Sequence, residues 1–516
     1  MFYLDAGLRH LYLDAHVNTG NVLRPSREAL PPTKSVGGTQ YNLDAGRTSV
    51  TQVPGEKRGL CFNTMYLVLW NTGVLGILIP PMLAMKMNYD GDQVLQIIPE
   101  HKDQVECFQR VCRTFQLDLW KPLQPEDINV RSVVHVRIPS IALQPVNEAM
   151  LHCSLSFKIL VDNLSQLTGS PKETRIRQQR STSDYDYTKY HPMEEIYDWI
   201  NLMTEKHGDL VTQHNLGFTY ESRPIHYLKI SKPSNDPKKI IWMDCGIHAR
   251  EWIAPAFCQW FVKEIVLNHQ RDSRIQKVLK NIDLYVLPVL NIDGYIYTWT
   301  TDRLWRKSRS KHENGTCYGV DLNRNFNVKW CSFGSSTNCT SNLFCGTSPV
   351  SEPETKAVVD FVEIRKSEMI CFLTIHSYSQ FILTAHGYTK NLPNSYNETI
   401  KVAEMAASEL KKKYGTVYKV GSFANLLYEA SGTSQDWVHD LGIEFSYTIE
   451  LRDNGTYQFV LPEDQIQPTC EETMAGVLKI IEYVNDKYFP NQASKTCGNL
   501  YSYAFLSTFL TVLLLT

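Results

Sequence analysis

The sequence predicts an α/β fold: a mixed, mostly parallel sheet with helices on both faces, preceded by a smaller α/β unit. Three observations predict it. From about Ser181 to Phe489, apolar strand-like runs (KKIIWMDC, NIDLYVLPVLN, EMICFLTIH, FSYTIEL) alternate with helix-like stretches (APAFCQWFVKEIVLNH, SEPETKAVVDFVEIRKSE, NETIKVAEMAASELKKKYG, CEETMAGVLKIIEYVNDKYF). That alternation builds a sheet covered on both sides. Second, IIWMDCGIHARE and CFLTIHSYS each place a histidine just past an apolar strand, where open α/β sheets carry their functional loops. Third, residues 88–167 hold their own short cycle of strand and helix patterns.

Taken in order, the chain of 516 residues has room for about three domains at ~150 residues each. Hydrophobic residues make up 43%, charged residues 21%, and the formal net charge is −2. The class is therefore globular, and no excess of charge points to nucleic acid. Residues 1–64 show no convincing periodic element. No charge occurs from Gly59 to Met85, and the apolar stretch 65–85 is broken by Pro80-Pro81. This reads as a signal peptide starting at Met65, with a type II anchor as the alternative. In the unit 88–167, QVLQIIP and SVVHVRIP are strand-like. HKDQVECFQRVCRTF spaces Val105, Phe108, Val111, Cys112 and Phe115 as a helix, and SLSFKILVDNLSQL supplies strand and then helix character. A polar linker with Arg175, Arg177 and Arg180 follows, open to a trypsin-like protease. At the other end, small and polar residues precede AFLSTFLTVLLLT. That pattern reads as a glycosylphosphatidylinositol (GPI) attachment signal over 490–516, with a frayed apolar tail as the alternative. Five cysteines between 317 and 371, and the acceptor sequons at Asn314 and Asn397, fit the secretory pathway; Asn163, Asn338 and Asn454 match the sequon in less favourable contexts.

A catalytic zinc takes three protein ligands and an open position. His248 and Glu251 supply two from one loop, and His376, at the end of CFLTIH, can supply the third. A solvated strand-to-helix turn is the competing reading of an isolated His-x-x-Glu. The surrounding motifs decide between them. HAREW, TDRLWRKSRS, DLNRNF, IHSYSQ, LYEASGTSQDW and YTIELRD occur in an order that resembles the zinc metallocarboxypeptidases, digestive A/B branch, over about residues 88–489.

The resemblance implies one zinc ion held by His248, Glu251 and His376. It implies Glu450 as general base and Arg306 as stabiliser of the oxyanion; the neighbouring Arg303, Lys307 and Arg309 read as an ordinary basic surface. It assigns the substrate's C-terminal carboxylate to Arg324, with Asn323 beside it and Tyr428 closing over the substrate. Arg250, Ser377, Tyr378 and Phe459 would line more distant subsites. The disulfides it implies are Cys245–Cys258, Cys317–Cys339 and Cys331–Cys345; Cys371, Cys470, Cys497 and the cysteines of 88–180 receive no partner. It makes 88–180 an inhibitory open-sandwich prosegment with its activation linker, and 181–489 the peptidase unit. The expected product is a zymogen, GPI-anchored on the extracellular face of the plasma membrane, acting on peptides and proteins with a free C-terminus.

Family members carry an aliphatic residue, an aspartate or an arginine at the floor of the side-chain pocket; the same position here is Gln435. Glutamine both donates and accepts, which predicts a preference for polar C-terminal residues such as Glu and Gln. An apolar preference is one alternative. A catalytically silent peptide-binding scaffold is the other, although no residue of the expected machinery is missing.

Overall fold

A computed structural model describes residues 86–168 and 185–490. The stretch 1–64, the expected signal peptide 65–85, the linker arginines Arg175, Arg177 and Arg180, Cys497, and all of the anchor signal except Pro490 lie outside the described residues.

The N-terminal unit is a four-stranded antiparallel sheet of β1 (Gln93–Ile97), β2 (Asp118–Lys121), β3 (Val134–Ile138) and β4 (Phe157–Val161), in the order β2-β3-β1-β4. Helix Lys102–Phe115 buries Val105, Phe108, Val111 and Cys112, the stripe its spacing predicts. Its start is held by Gln104, whose side chain accepts from the His101 N–H at 3.2 Å. The stripe packs with Val146 and Met150 of helix Leu143–His152 on Leu95, Val136 and Ile138 of the sheet. A disulfide that the sequence left unassigned, Cys107–Cys153, links the middle of the first helix to the residue that ends the second. Strand β2 was also not expected, because its four residues are too short to show a period.

The larger sheet contains β5 (Val211–Phe218), β6 (Pro224–Ile230), β7 (Lys239–Cys245), β8 (Ile282–Leu287), β11 (Met369–Ser377), β12 (Phe381–Thr384), β13 (Lys419–Ser422) and β14 (Phe445–Leu451). Two-residue strands β9 (Lys311–His312) and β10 (Cys317–Tyr318) form a separate ribbon. The order is β13-β12-β14-β11-β7-β8-β6-β5. Its centre, β14-β11-β7-β8, is parallel, and the pairs at β12-β14 and β8-β6-β5 are antiparallel. Every residue of β8 and β11 is buried, as continuous apolar runs require when both faces are covered. Helices Ile253–Asn268, Ser273–Asn281 and Tyr396–Tyr414 all pack against the long helix Ile466–Tyr488. Met193–Lys206 and Pro353–Arg365 lean on β5. The half-exposed hairpin β5-β6 and the short β12 and β13 lacked a strong apolar run, and the sequence reading passed over them.

Backbone geometry at two glycines separates conformational from steric constraint. Gly415 ends helix Tyr396–Tyr414 at φ +76° with nothing near an added Cβ. Gly432, at φ +70°, would place a Cβ 2.3 Å from the carbonyl oxygen of Arg324. Gly415→Ala is therefore expected to cost about 1 kcal/mol, the ordinary left-handed penalty. Gly432→Ala should cost at least ~2 kcal/mol more, because the backbone under Arg324 must move. Thermal denaturation of the two variants checks this, and equal losses would show that the close approach is not a constraint.

Candidate metal centre and substrate cleft

Strand β7 ends at Cys245, and Gly246 (φ +67°) turns the chain out of the sheet. The loop is fixed by N–H donation from Leu290 to the Cys245 carbonyl (3.0 Å) and from Asn291 to that of Gly246 (3.1 Å). The Cys245–Cys258 disulfide then ties it to helix Ile253–Asn268. This presents His248 and Glu251 beside β11, whose Ile375 is in register with Cys245. The next residue, His376, faces them.

The Nδ1 atoms of His248 and His376 are 3.2 Å apart. Glu251 places one oxygen 2.8 Å from the first and the other 3.1 Å from the second. All three residues are buried. Behind them, His248 Nε2–H donates to Asp321 (3.1 Å), and His376 Nε2 meets Thr374 Oγ1 (3.2 Å), which itself donates to Asp244 (2.8 Å). Acceptors behind each ring leave the Nδ1 lone pairs directed inward, as in zinc sites oriented by outer carboxylates. Two imidazole nitrogens and one carboxylate fit zinc. Burial opposes ionisation of Glu251, but His248 and His376 hold its carboxyl well below the usual range.

Glu450 stands on β14 in register with His376 and lines the same cleft. Burial and the charge on Glu251, against the pull of His376, push its carboxyl up to about 7. Arg306 donates through Nε (3.1 Å) and Nη2 (2.9 Å) to Asp321 Oδ2, and its Nη1 lies 3.7 Å from Glu251. Deeper in the cleft, Arg324 is buried, with Nε donating to the Gly334 carbonyl and Nη1 to that of Asn323, both at 2.7 Å. Its Nη2 points toward Tyr428 Oη at 3.5 Å. The Asn323 side-chain oxygen accepts from the Ser434 N–H at 2.9 Å.

Toward the N-terminal unit, Arg250 stacks on Phe459, 3.9 Å from the ring centroid, and its Nε and Nη2 are buried without hydrogen-bond partners. The hydroxyl of Ser377 is likewise buried and unpartnered. Trp120 packs edge-on against Phe459 (5.2 Å), His135 Nδ1 meets Tyr378 Oη (2.9 Å), and Lys121 Nζ donates to Ser379 Oγ (3.0 Å). Trp120, Lys121, Pro122 and Leu123 thus form one wall of the cleft that holds the metal ligands.

Several expectations need correction. Arg303 and Lys307 are not basic surface; both are buried. Arg303 donates to the Arg250 and Phe459 carbonyls (2.8 and 2.7 Å) and stacks on Trp252, and Lys307 donates to the Cys339 carbonyl (2.6 Å). Arg309 is half-buried over Tyr297, 3.6 Å from its ring centroid. Gln435 does not line the cleft: its amide donates to the Leu383 and Ser446 carbonyls (2.8 and 3.0 Å) and accepts from Thr448 (2.7 Å). Phe423 and Leu427, which the sequence reading did not select, line it instead. Asp321 and Asp244 were also missed, although both lie within quoted motifs, because a supporting carboxylate has no spacing signature of its own. Cys317–Cys339 and Cys331–Cys345 pair as the resemblance implied, while Cys112, Cys371 and Cys470 are buried free thiols.

Comparison with known proteins agrees with this geometry. Residues 196–476 match the zinc carboxypeptidase family model, and residues 95–168 match the carboxypeptidase activation peptide. The chain is 63% identical to carboxypeptidase O of Bos taurus over 330 residues, covering 64% of this chain and 88% of that protein. It is 64% identical to carboxypeptidase O of Homo sapiens over 314 residues, covering 61% and 84%. The crystal structure of thrombin activatable fibrinolysis inhibitor superposes with a TM-score of 0.73 at 40% identity, covering 77% of this chain and all of that one. The chain therefore belongs to the zinc carboxypeptidase family: it is a zinc-dependent exopeptidase that carries an activation peptide ahead of its peptidase unit.

Proposed function

We propose that this protein, once its activation peptide is cut away, removes single amino acids from the C-termini of peptides and proteins at the cell surface, taking polar, Glu- or Gln-like residues first. The supporting observation is the convergence of His248, Glu251, His376, Glu450, Arg306 and Arg324 on one cleft. When bound, zinc lowers the pKa of a water and polarises the scissile carbonyl. Glu450 takes the proton of the attacking water and passes it to the leaving amine, a role suited to a carboxyl near 7. Arg306, held in place by Asp321, donates to the developing oxyanion, an effect worth ~3–4 kcal/mol in comparable sites. Arg324 receives the terminal carboxylate, because a guanidinium grips it in bidentate geometry, and Asn323 and Tyr428 flank it. The unpartnered donors of Arg250 and the Ser377 hydroxyl meet the peptide upstream, with Tyr378 and Phe459 packing beside it.

Gln435 lies behind the residues that line the cleft, so it bears on side-chain preference only for a C-terminal residue whose side chain reaches past that wall. Both of its N–H donors are spent on carbonyls, and its oxygen keeps one lone pair. A C-terminal amide can donate to that lone pair. A carboxylate would have to displace a carbonyl, leaving it unpaired at ~1–3 kcal/mol. Gln and Asn should therefore lead Glu. A second reading, an apolar preference, is supported by Phe423 and Leu427 on the cleft wall.

Export, glycosylation at the exposed Asn314 and Asn397, cleavage near Arg180 by a trypsin-like protease and anchoring through the C-terminal signal complete the proposal. Among the described residues no helix is long and apolar enough to cross a membrane.

Three experiments on the trypsin-activated protein test this reading. A zinc chelator should abolish cleavage reversibly, and Glu450→Gln should lower kcat by ~10²–10⁴-fold while zinc stays bound. A variant that keeps full kcat would remove Glu450 from the mechanism. A peptide series differing only in the last residue should give Gln and Asn the highest kcat/KM, then Glu. A series led by Phe or Leu would install the apolar reading.

A further inference from the structure

Outside the cleft, His386, His439 and Asp440 each offer one ligand atom, all within 4.8 Å of one another. His386 lies on the loop after β12, and the other two end helix Ser434–Asp440. His386 Nδ1 faces the Asn391 carbonyl at 3.2 Å. A carbonyl only accepts, so the proton sits on Nδ1 and Nε2 keeps a bare lone pair. His439 Nε2 is 3.1 Å from Ser395 Oγ, which can accept its proton. Its Nδ1 is buried, has no hydrogen-bond partner and lies 3.8 Å from an Asp440 oxygen. The two rings cross at 88° with centroids 5.1 Å apart. Tyr388 stacks on His386 (4.9 Å) and reaches the Asp440 carboxylate through its hydroxyl at 3.4 Å.

Each imidazole is thus held through one nitrogen while the other is left beside a carboxylate, the same construction found around His248 and His376. A bare nitrogen lone pair against a carboxylate is repulsive unless a proton or a metal cation lies between them, and the three ligand atoms are spaced to share one metal ion. We propose that His386, His439 and Asp440 form a second, surface site for zinc or a chemically similar divalent transition metal. Two imidazoles and one carboxylate suit such an ion, whereas calcium and magnesium favour all-oxygen shells. The exposed side of Asp440 leaves room for water to complete the coordination.

The site bridges the loop after β12 and helix Ser434–Asp440. The N–H groups of Gly387 and Tyr388, next to His386, donate to Asp436 at 2.7 and 3.1 Å. Asp436 adjoins Gln435, and both share a helix with His439. An ion here pins the loop after β12 to the helix that carries Gln435.

The test is zinc content and thermal midpoint of the full zymogen in zinc-buffered solution, with calcium as a control. The wild type should bind one zinc more than the His386→Ala/His439→Ala variant in the low-micromolar range, and its midpoint should rise with free zinc by more than the variant's. Asp440→Asn, at an exposed position, should weaken that second binding without changing the first. Should the double variant not fold, His439→Gln carries the same comparison. Equal zinc content in the wild type and the folded variants, or second-site binding only at millimolar zinc, would overturn the proposal. The readout is a difference between proteins that share the catalytic centre, so loss of the catalytic zinc in both would count against the proposed mechanism and not against this site.

Discussion

Asp321 is the constraint on which the active cleft depends. It is fully buried, and one of its oxygens accepts from His248 while the other accepts from Arg306. Burial works against its charge, yet Arg306 and His248 hold its carboxyl far below the usual range. A buried carboxylate is tolerable only with its partners in place, so its position fixes theirs. The same side chain accepts from the Asn323 N–H and starts the short turn Leu322–Arg324. One residue thereby positions the metal ligand His248, the proposed oxyanion donor Arg306 and the proposed carboxylate grip Arg324. From the other side, the backbone at Gly432 closes on the Arg324 carbonyl and leaves no space for a side chain.

The N-terminal unit reads this architecture as a surface. Its strand β2 delivers Trp120 and Lys121 into the cleft. Tyr89, Val94, Trp120, Val161 and Leu164 share one apolar cluster with Leu304, Tyr378 and Phe459 of the peptidase unit. Asp118 lies 3.9 Å from Arg250, whose other donors are unpaired. The proposed inhibition is occupancy: side chains of the activation peptide stand in the cleft beside Arg250, Tyr378 and Phe459, the residues proposed to meet upstream substrate. Polar contacts cross this surface as well, His135 with Tyr378 and Lys121 with Ser379.

The sequence was most legible where burial is symmetrical. Runs such as IIWMD and ICFLTI are apolar because both faces of β7 and β11 are covered, and their strand character needs no tertiary knowledge. Edge strands such as β5, exposed on one side, carry no such signal. In the site, residues within distinctive motifs were legible because the motif fixes the residue. Arg303 and Lys307 were misjudged for the opposite reason. TDRLWRKSRS looks like a solvated basic run, and only the fold supplies the carbonyls and aromatic faces that bury those charges. Gln435 sits on the short helix Ser434–Asp440, and the direction of its amide is set by β12 and β14, which sequence position alone cannot reveal.

The central claim is that Asp321 organises the metal centre and the oxyanion donor together. Its most direct test is the zinc dissociation constant and kcat/KM of activated Asp321→Asn beside the wild type. The account predicts that a folded variant binds zinc ~10–100-fold more weakly and loses activity at saturating zinc as well. Wild-type zinc affinity with undiminished turnover would contradict it.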